Sequence, residues 1–165
     1  MQDEQERFRF GQWALERQIA WIATADVKVG VIIAIQTAMA GGLAAAFGFS
    51  PQKTEWAINF AVAAFVCSIS AYVCAALALL PRTDGPYKSL IFFGRICGLP
   101  RADYIRQLRD ATQSDLLDDC AEQIHRNAEI ACEKHSWVKA ALIWSFLSAP
   151  VWILAILLLA QVKVP

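Results

Sequence analysis

Three stretches of this 165-residue chain carry no charged side chain: residues 29–52, 56–81 and 140–162. An α-helix rises about 1.5 Å per residue, so about 20 apolar residues cross the hydrocarbon core of a bilayer. Each stretch is long enough. The pattern predicts an all-α integral membrane protein with three transmembrane helices, over residues 29–52, 55–81 and 138–162. Residues 1–28 should form an N-terminal helix leading into the membrane, and residues 82–137 a helical segment between the second and third spans.

Outside the spans the apolar positions are periodic. Phe8, Leu15, Ile19 and Ile22 recur near a helical interval in a proline-free segment, so the N-terminal helix should run on into the first span. Pro81 closes the second span, and Asp84, Gly85 and Pro86 read as a turn. Residues 89–96, SLIFFGRI, are too few to cross a membrane and too apolar to lie free. A helix is expected from Arg101 to near Ala111. A second is expected over about 114–134, announced by Thr112 and Asp115 at the spacing of a helix-start box. On that second helix Leu117, Ala121, Ile124, Ala128 and Ala131 form the expected apolar stripe. Asp118, Glu122, Glu129 and Glu133 face solvent, and Gln123, Asn127 and Lys134 border the two faces. Within the first span Ala34, Ala38, Gly42 and Ala46 fall every fourth residue, as Ala63, Cys67, Ala71 and Ala75 do in the second. Small residues at this spacing let helix backbones approach, either within one protomer or between protomers of a homo-oligomer.

Charge sets the expected orientation. Arg7, Arg9, Arg17 and Lys28 precede the first span and nine lysines and arginines fall in residues 82–139, whereas the link between the first two spans holds only Lys53 and the tail only Lys163. The positive-inside rule then places the N-terminus and the inter-span segment in the cytoplasm and the C-terminus outside. Trp13, Trp21, Trp56 and Trp137 fall near span entrances, where indoles anchor at the interface. A formal net charge of zero argues against a nucleic-acid binder, and the mixed-charge start does not read as a signal peptide. The five cysteines show no CxxC pair and read as packing residues.

Catalytic chemistry is nearly absent. There is no nucleophile elbow, glycine-rich phosphate loop or paired-carboxylate arrangement, and a single Glu-x-x-His, Glu122 with His125, falls short of a di-metal set. Neither an enzyme nor a metal protein is expected. Two constellations stand out instead. Asp26 and Lys28 head the first span as a snorkelling pair or a polar hinge. Phe92, Phe93, Gly94 and Arg95, with Tyr104, combine aromatic faces, a glycine that permits close approach and a guanidinium suited to phosphate, the chemistry a small nucleotide requires. Core packing is the competing role for these aromatics.

The order of these motifs resembles the Pycsar membrane effectors, transmembrane proteins of a bacterial antiphage system. The resemblance runs from Trp21 to about Ala141. It is carried by Asp26-x-Lys28, the proline closing the second span, LIFFGRI at 90–96, Tyr104, and QIHRNAEIACEK at 123–134 leading into the last span. Asp26, Lys28, Phe92, Phe93, Gly94, Tyr104, Gln123, Asn127 and Lys134 match the family pattern. The resemblance implies a partner pyrimidine cyclase that answers phage by making cyclic CMP or cyclic UMP. It also implies an effector that senses that nucleotide and impairs the inner membrane, arresting growth before phage mature. In that scheme Arg95, Arg101 or Lys134 would take the phosphate and Phe93 or Tyr104 the base, with Phe92, Gln123 and Asn127 nearby. Asp26, Lys28, Ala34, Ala38, Gly42 and Ala46 would serve gating or packing. The alternative is a constitutive membrane scaffold that holds a partner protein through its cytoplasmic helices.

Overall fold

A computed structural model describes residues 2–160. It has five helices: α1 (Gln2–Phe49), α2 (Glu55–Leu79), α3 (Phe93–Cys97), α4 (Arg101–Asp110) and α5 (Gln113–Ala160). No strand occurs among the described residues. Helices α1, α2 and α5 are each long and apolar enough to cross a membrane, as the charge-free stretches require. Helix α1 continues unbroken from the N-terminal segment into the first span over 48 residues, since no proline interrupts it before Pro51. The helix expected over 114–134 and the third span likewise form one continuous 48-residue helix, α5.

The ends follow local chemistry. Thr54 caps α2, its Oγ1 accepting from the Ala57 N–H at 3.2 Å, and α2 stops before Pro81. Helix α5 opens on the expected box. Thr112 Oγ1 accepts from the Asp115 N–H at 3.2 Å, and the Asp115 carboxylate accepts from the Thr112 N–H at 2.9 Å and from its hydroxyl at 2.6 Å. Those bonds hold the Asp115 carboxyl below the usual carboxylate range. Pro150, inside α5, removes the N–H that the carbonyl of Phe146 would otherwise receive.

The chain divides into two compact units, one built from residues up to Thr24 with Pro81–Glu133, the other from Ala25–Leu80 with Lys134 onward. In the second unit, α1 buries Ala25, Val29, Ile32, Gln36 and Leu43; α2 buries Ala57, Ala61, Ala64, Ser68, Ala71, Cys74, Ala75 and Ala78; α5 buries Lys134, Val138, Ala141, Ser148, Ala155 and Leu159. Apart from Cys74, which widens the α2 face beside Ala75, the steps are three, four or seven. A heptad interval of 3.5 residues keeps one seam facing its neighbours along a whole span. Alanine and serine dominate these positions because, where lipid removes the hydrophobic drive, close van der Waals contact holds helices together.

Within one protomer the four-residue stripes are therefore not the packed faces. Ala34, Ala38 and Ala63 are exposed, Gly42, Ala46 and Cys67 half-buried, and Ala71 and Ala75 buried. Residues four apart advance by about 40° around a helix of 3.6 residues per turn, so twelve residues turn such a stripe by about 120°. The contact seam does not turn with it. Only the far end of the α1 stripe reaches the seam, at Gly42, where an added Cβ would come within 3.1 Å of Trp152 Cζ2. The Trp152 indole also donates to the Met39 carbonyl at 2.7 Å. We expect Gly42→Leu to unseat Trp152 and cost about 1–3 kcal/mol in the stability of the span unit, while Ala38→Leu stays within about 0.5 kcal/mol. Thermal melts of the detergent-solubilised variants read this, and equal effects at the two positions would contradict the 3.5-residue seam.

Polar groups inside the span unit are mostly matched. Gln36, fully buried, donates from Nε2 to Ser148 Oγ at 3.2 Å, and Ser148 donates to the Ser145 carbonyl at 2.8 Å. Thr37 and Tyr72 share a hydroxyl bond of 2.6 Å. Lys134 is paired with Asp26, the lysine side chain 9% exposed and the aspartate 41%.

In the first unit the buried face of α5 is Cys120, Gln123, Asn127 and Ala131, whereas Ala121 is exposed. Gln123 and Asn127 thus lie on the buried face, not at its border. Part of their hydrogen-bonding need is met there, Gln123 Nε2 donating to Asn127 Oδ1 at 3.1 Å, while Gln123 Oε1 has no partner among the described residues. Gly11 of α1 leaves the space Cys120 occupies: a Cβ there would lie 3.3 Å from its sulfur. Burial pushes the Cys120 thiol up, away from the reactive thiolate. Cys74 and Cys120 pack as expected, but Cys97 and Cys132 are exposed.

Candidate ligand-binding site

Residues 82–90 run antiparallel to α5 and are fastened to it at three points. Arg82 Nε pairs with Glu133 at 2.8 Å, Arg126 Nε donates to the Asp84 carbonyl at 2.9 Å, and Asp119 accepts from the Leu90 N–H at 2.7 Å. Asp119, Arg126 and Glu133 are seven residues apart, about two helical turns, so all three project from one face. The carbonyl of Leu90 accepts from the Tyr104 hydroxyl of α4 at 3.2 Å. Ser89, 2% exposed, accepts from the N–H groups of Ile91 and Phe92 at 3.1 and 2.8 Å and so directs the chain into α3.

The fastened loop and α3 border an open cavity of about 290 Å³ lined by Thr83, Asp84, Gly85, Pro86, Tyr87, Phe92, Gly94 and Arg95. The Phe92 ring sits between two glycines. An added Cβ would come within 2.6 Å of it at Gly85 and 2.7 Å at Gly94, so any larger residue must displace the ring. Phe93 stacks at a tilt on Phe92, centroids 5.0 Å apart, and is itself 61% exposed. Tyr87 is 93% exposed at the cavity. Arg95 has its Nε buried with no hydrogen-bond partner among the described residues. An unmatched guanidinium N–H beside aromatic faces suits an anionic, flat ligand. The neighbouring cavity of about 200 Å³, lined by Lys88, Leu90, Asp115, Asp118, Asp119 and Glu122, has four carboxylates to one cation and would repel a phosphate. Larger cavities of about 450 and 340 Å³ in the span unit are walled almost wholly by apolar side chains.

Of the residues singled out for ligand contact, the cavity gathers Phe92 and Arg95, together with Gly94. Arg101 is exposed at the start of α4, Tyr104 is bonded to Leu90, Gln123 and Asn127 are bonded to each other, and Lys134 is held by Asp26. Thr83, Asp84 and Tyr87 line the cavity without having been singled out; the only sequence signal was the turn composition around Asp84. Among the described residues no group of three histidines, cysteines or acids could hold a metal ion.

A family model described as the Pycsar effector protein domain matches residues 10–161. The chain belongs to the Pycsar effector family. This is a family of antiphage defence. Two curated relatives bear the same description. The effector is 26% identical over 132 residues to Pycsar effector protein PtPycTM of Propioniciclava tarda, across 74% of this chain and 65% of that protein. It is 29% identical over 133 residues to SaPycTM of Staphylococcus aureus, across 77% of this chain and 80% of that protein. The match thus spans just under two thirds of the Propioniciclava protein. No solved structure matches. The effector's fastened loop, glycine-flanked Phe92 and Arg95 all fall inside the matched region.

Proposed function

We propose that this effector senses cyclic CMP or cyclic UMP made by a partner pyrimidine cyclase, and answers by impairing the inner membrane so that growth stops before phage mature. The observation that carries the reading is Arg95, which lines a cavity that also offers Phe92 and Tyr87 and whose buried Nε has no hydrogen-bond partner among the described residues. A cyclic mononucleotide presents one negative phosphate and one flat base. Its needs are one cation and one aromatic face, and a cavity of about 290 Å³ lies at the small end of ligand sites, which run from about 300 to 1,000 Å³.

Binding must favour the active state over the resting one. A shift from 1:99 to 99:1 requires about 5.5 kcal/mol of differential affinity, which two charge-assisted bonds near the top of their range of about 1.5–3 kcal/mol, or three near its middle, would supply. The output is a rearrangement of the spans, assembled as a homo-oligomer. The test is dye leakage from liposomes holding the purified effector, with cyclic CMP, cyclic UMP or neither. Release triggered by one of the pyrimidine nucleotides supports the reading. Equal leakage in all three would leave a constitutive scaffold that engages a protein partner.

The same reading sets the topology, with residues 82–137 and the N-terminus in the cytoplasm. A reporter fused after Pro165 should be active outside the cytoplasm and one inserted near Gly85 inside. Reversed signals at both sites would exclude a cytoplasmic sensor.

A further inference from the structure

Helix α4 has an uncovered face with a consistent chemistry. Arg101, Ile105, Leu108 and Arg109 are spaced as one helical stripe, and all four are exposed, Ile105 at 37% and Leu108 at 45%. Tyr104, flanking this stripe, is half-buried with its hydroxyl bonded to the Leu90 carbonyl at 3.2 Å, and Asp103, on the opposite side, is half-buried too. Asp103 is also taken up by Arg106 at 2.8 Å, so the outward stripe carries two guanidinium groups, two branched aliphatic side chains and no acid.

We propose that this face of α4 docks on an anionic lipid surface, with Ile105 and Leu108 in the headgroup layer and Arg101 and Arg109 on lipid phosphates. Aliphatic side chains flanked by cations are the composition of a helix that lies in the interfacial plane. Guanidinium groups bind phosphate in two-pronged fashion, and anionic lipid concentrates such cations within a Debye length of the surface. An acidic protein partner would satisfy the charges too. The bilayer is favoured because the same chain crosses it three times, so the surface is always present at high effective concentration. This assigns Arg101 to lipid and away from the nucleotide, and it stands whether or not the cavity binds one.

The experiment uses the full chain in vesicles, with a photoreactive benzoylphenylalanine at Leu108 and mass analysis of the cross-linked product. Vesicles containing phosphatidylglycerol should yield a lipid adduct at position 108. The yield should fall by roughly thirtyfold in phosphatidylcholine vesicles and in an Arg101→Gln, Arg109→Gln double variant, given that two cations near such a surface contribute about 1 kcal/mol each. The same probe at Phe146, 76% exposed on the apolar part of α5, should label lipid in every case and so certifies folding and insertion. Labelling at Phe146 without a lipid adduct at 108, an adduct at 108 to a second copy of the chain, or a lipid adduct indifferent to both charge changes would each overturn the proposal.

Discussion

Replacing Asp26 with alanine should destabilise the span unit by about 2–4 kcal/mol, because it strands a buried ammonium. Lys134 is only 9% exposed and Asp26 is its carboxylate partner. Removing the opposite partner should cost much less. With Lys134→Met the aspartate, 41% exposed, can still reach water, and the methionine keeps most of the packing volume, so a loss of about 1 kcal/mol is expected. The asymmetry distinguishes a desolvated charge from a simple ion-pair count. Thermal or denaturant midpoints in detergent measure it, and the double variant Asp26→Ala, Lys134→Met should recover most of what the single aspartate variant lost. If the two single variants were equally harmful, the burial of Lys134 would not be the controlling term.

Arg95→Ala should weaken cyclic nucleotide binding by about 1.5–3 kcal/mol, roughly ten- to hundredfold in Kd, with little change in stability. Among the described residues Arg95 Nε has no hydrogen-bond partner to lose. Arg95→Lys should recover only part of the loss, since an ammonium cannot reproduce the two-pronged geometry of a guanidinium on phosphate. Calorimetry of the solubilised effector against cyclic CMP and cyclic UMP is the measurement. Lys134→Met, by contrast, should leave affinity near that of the unaltered chain. An Arg95→Ala variant that binds as tightly as the parent would remove the cavity from the sensing scheme.

The glycines at the cavity sharpen the second expectation. Gly85 and Gly94 approach the Phe92 ring from residues nine apart in the chain, and no periodicity connects them. LIFFGRI announced an aromatic pair, a glycine and an arginine without saying which aromatic faces the arginine. The loop decided it, by fastening Arg82, Asp84 and Leu90 to α5. Tyr87 and Thr83 were not legible as cavity residues because exposed turn residues carry no periodic signal.

The number of spans, the all-helical class, the start of α5 at Thr112 and the position of α4 were determined by the sequence alone. Each depends on local quantities: the length of a charge-free run, a reciprocal cap three residues apart, and a helical period within one segment. Tertiary structure decided which side of each helix is buried. An every-fourth-residue stripe and a 3.5-residue seam differ by only half a residue per turn, so a short window does not separate them, yet over the length of α1 the difference carries Ala34 and Ala38 out of the packed face. It also put Gln123 and Asn127 on a buried face and Lys134 beside Asp26. Buried polar residues need partners, and those partners come from one turn away or, as with Asp26 and Lys134, from 108 residues away.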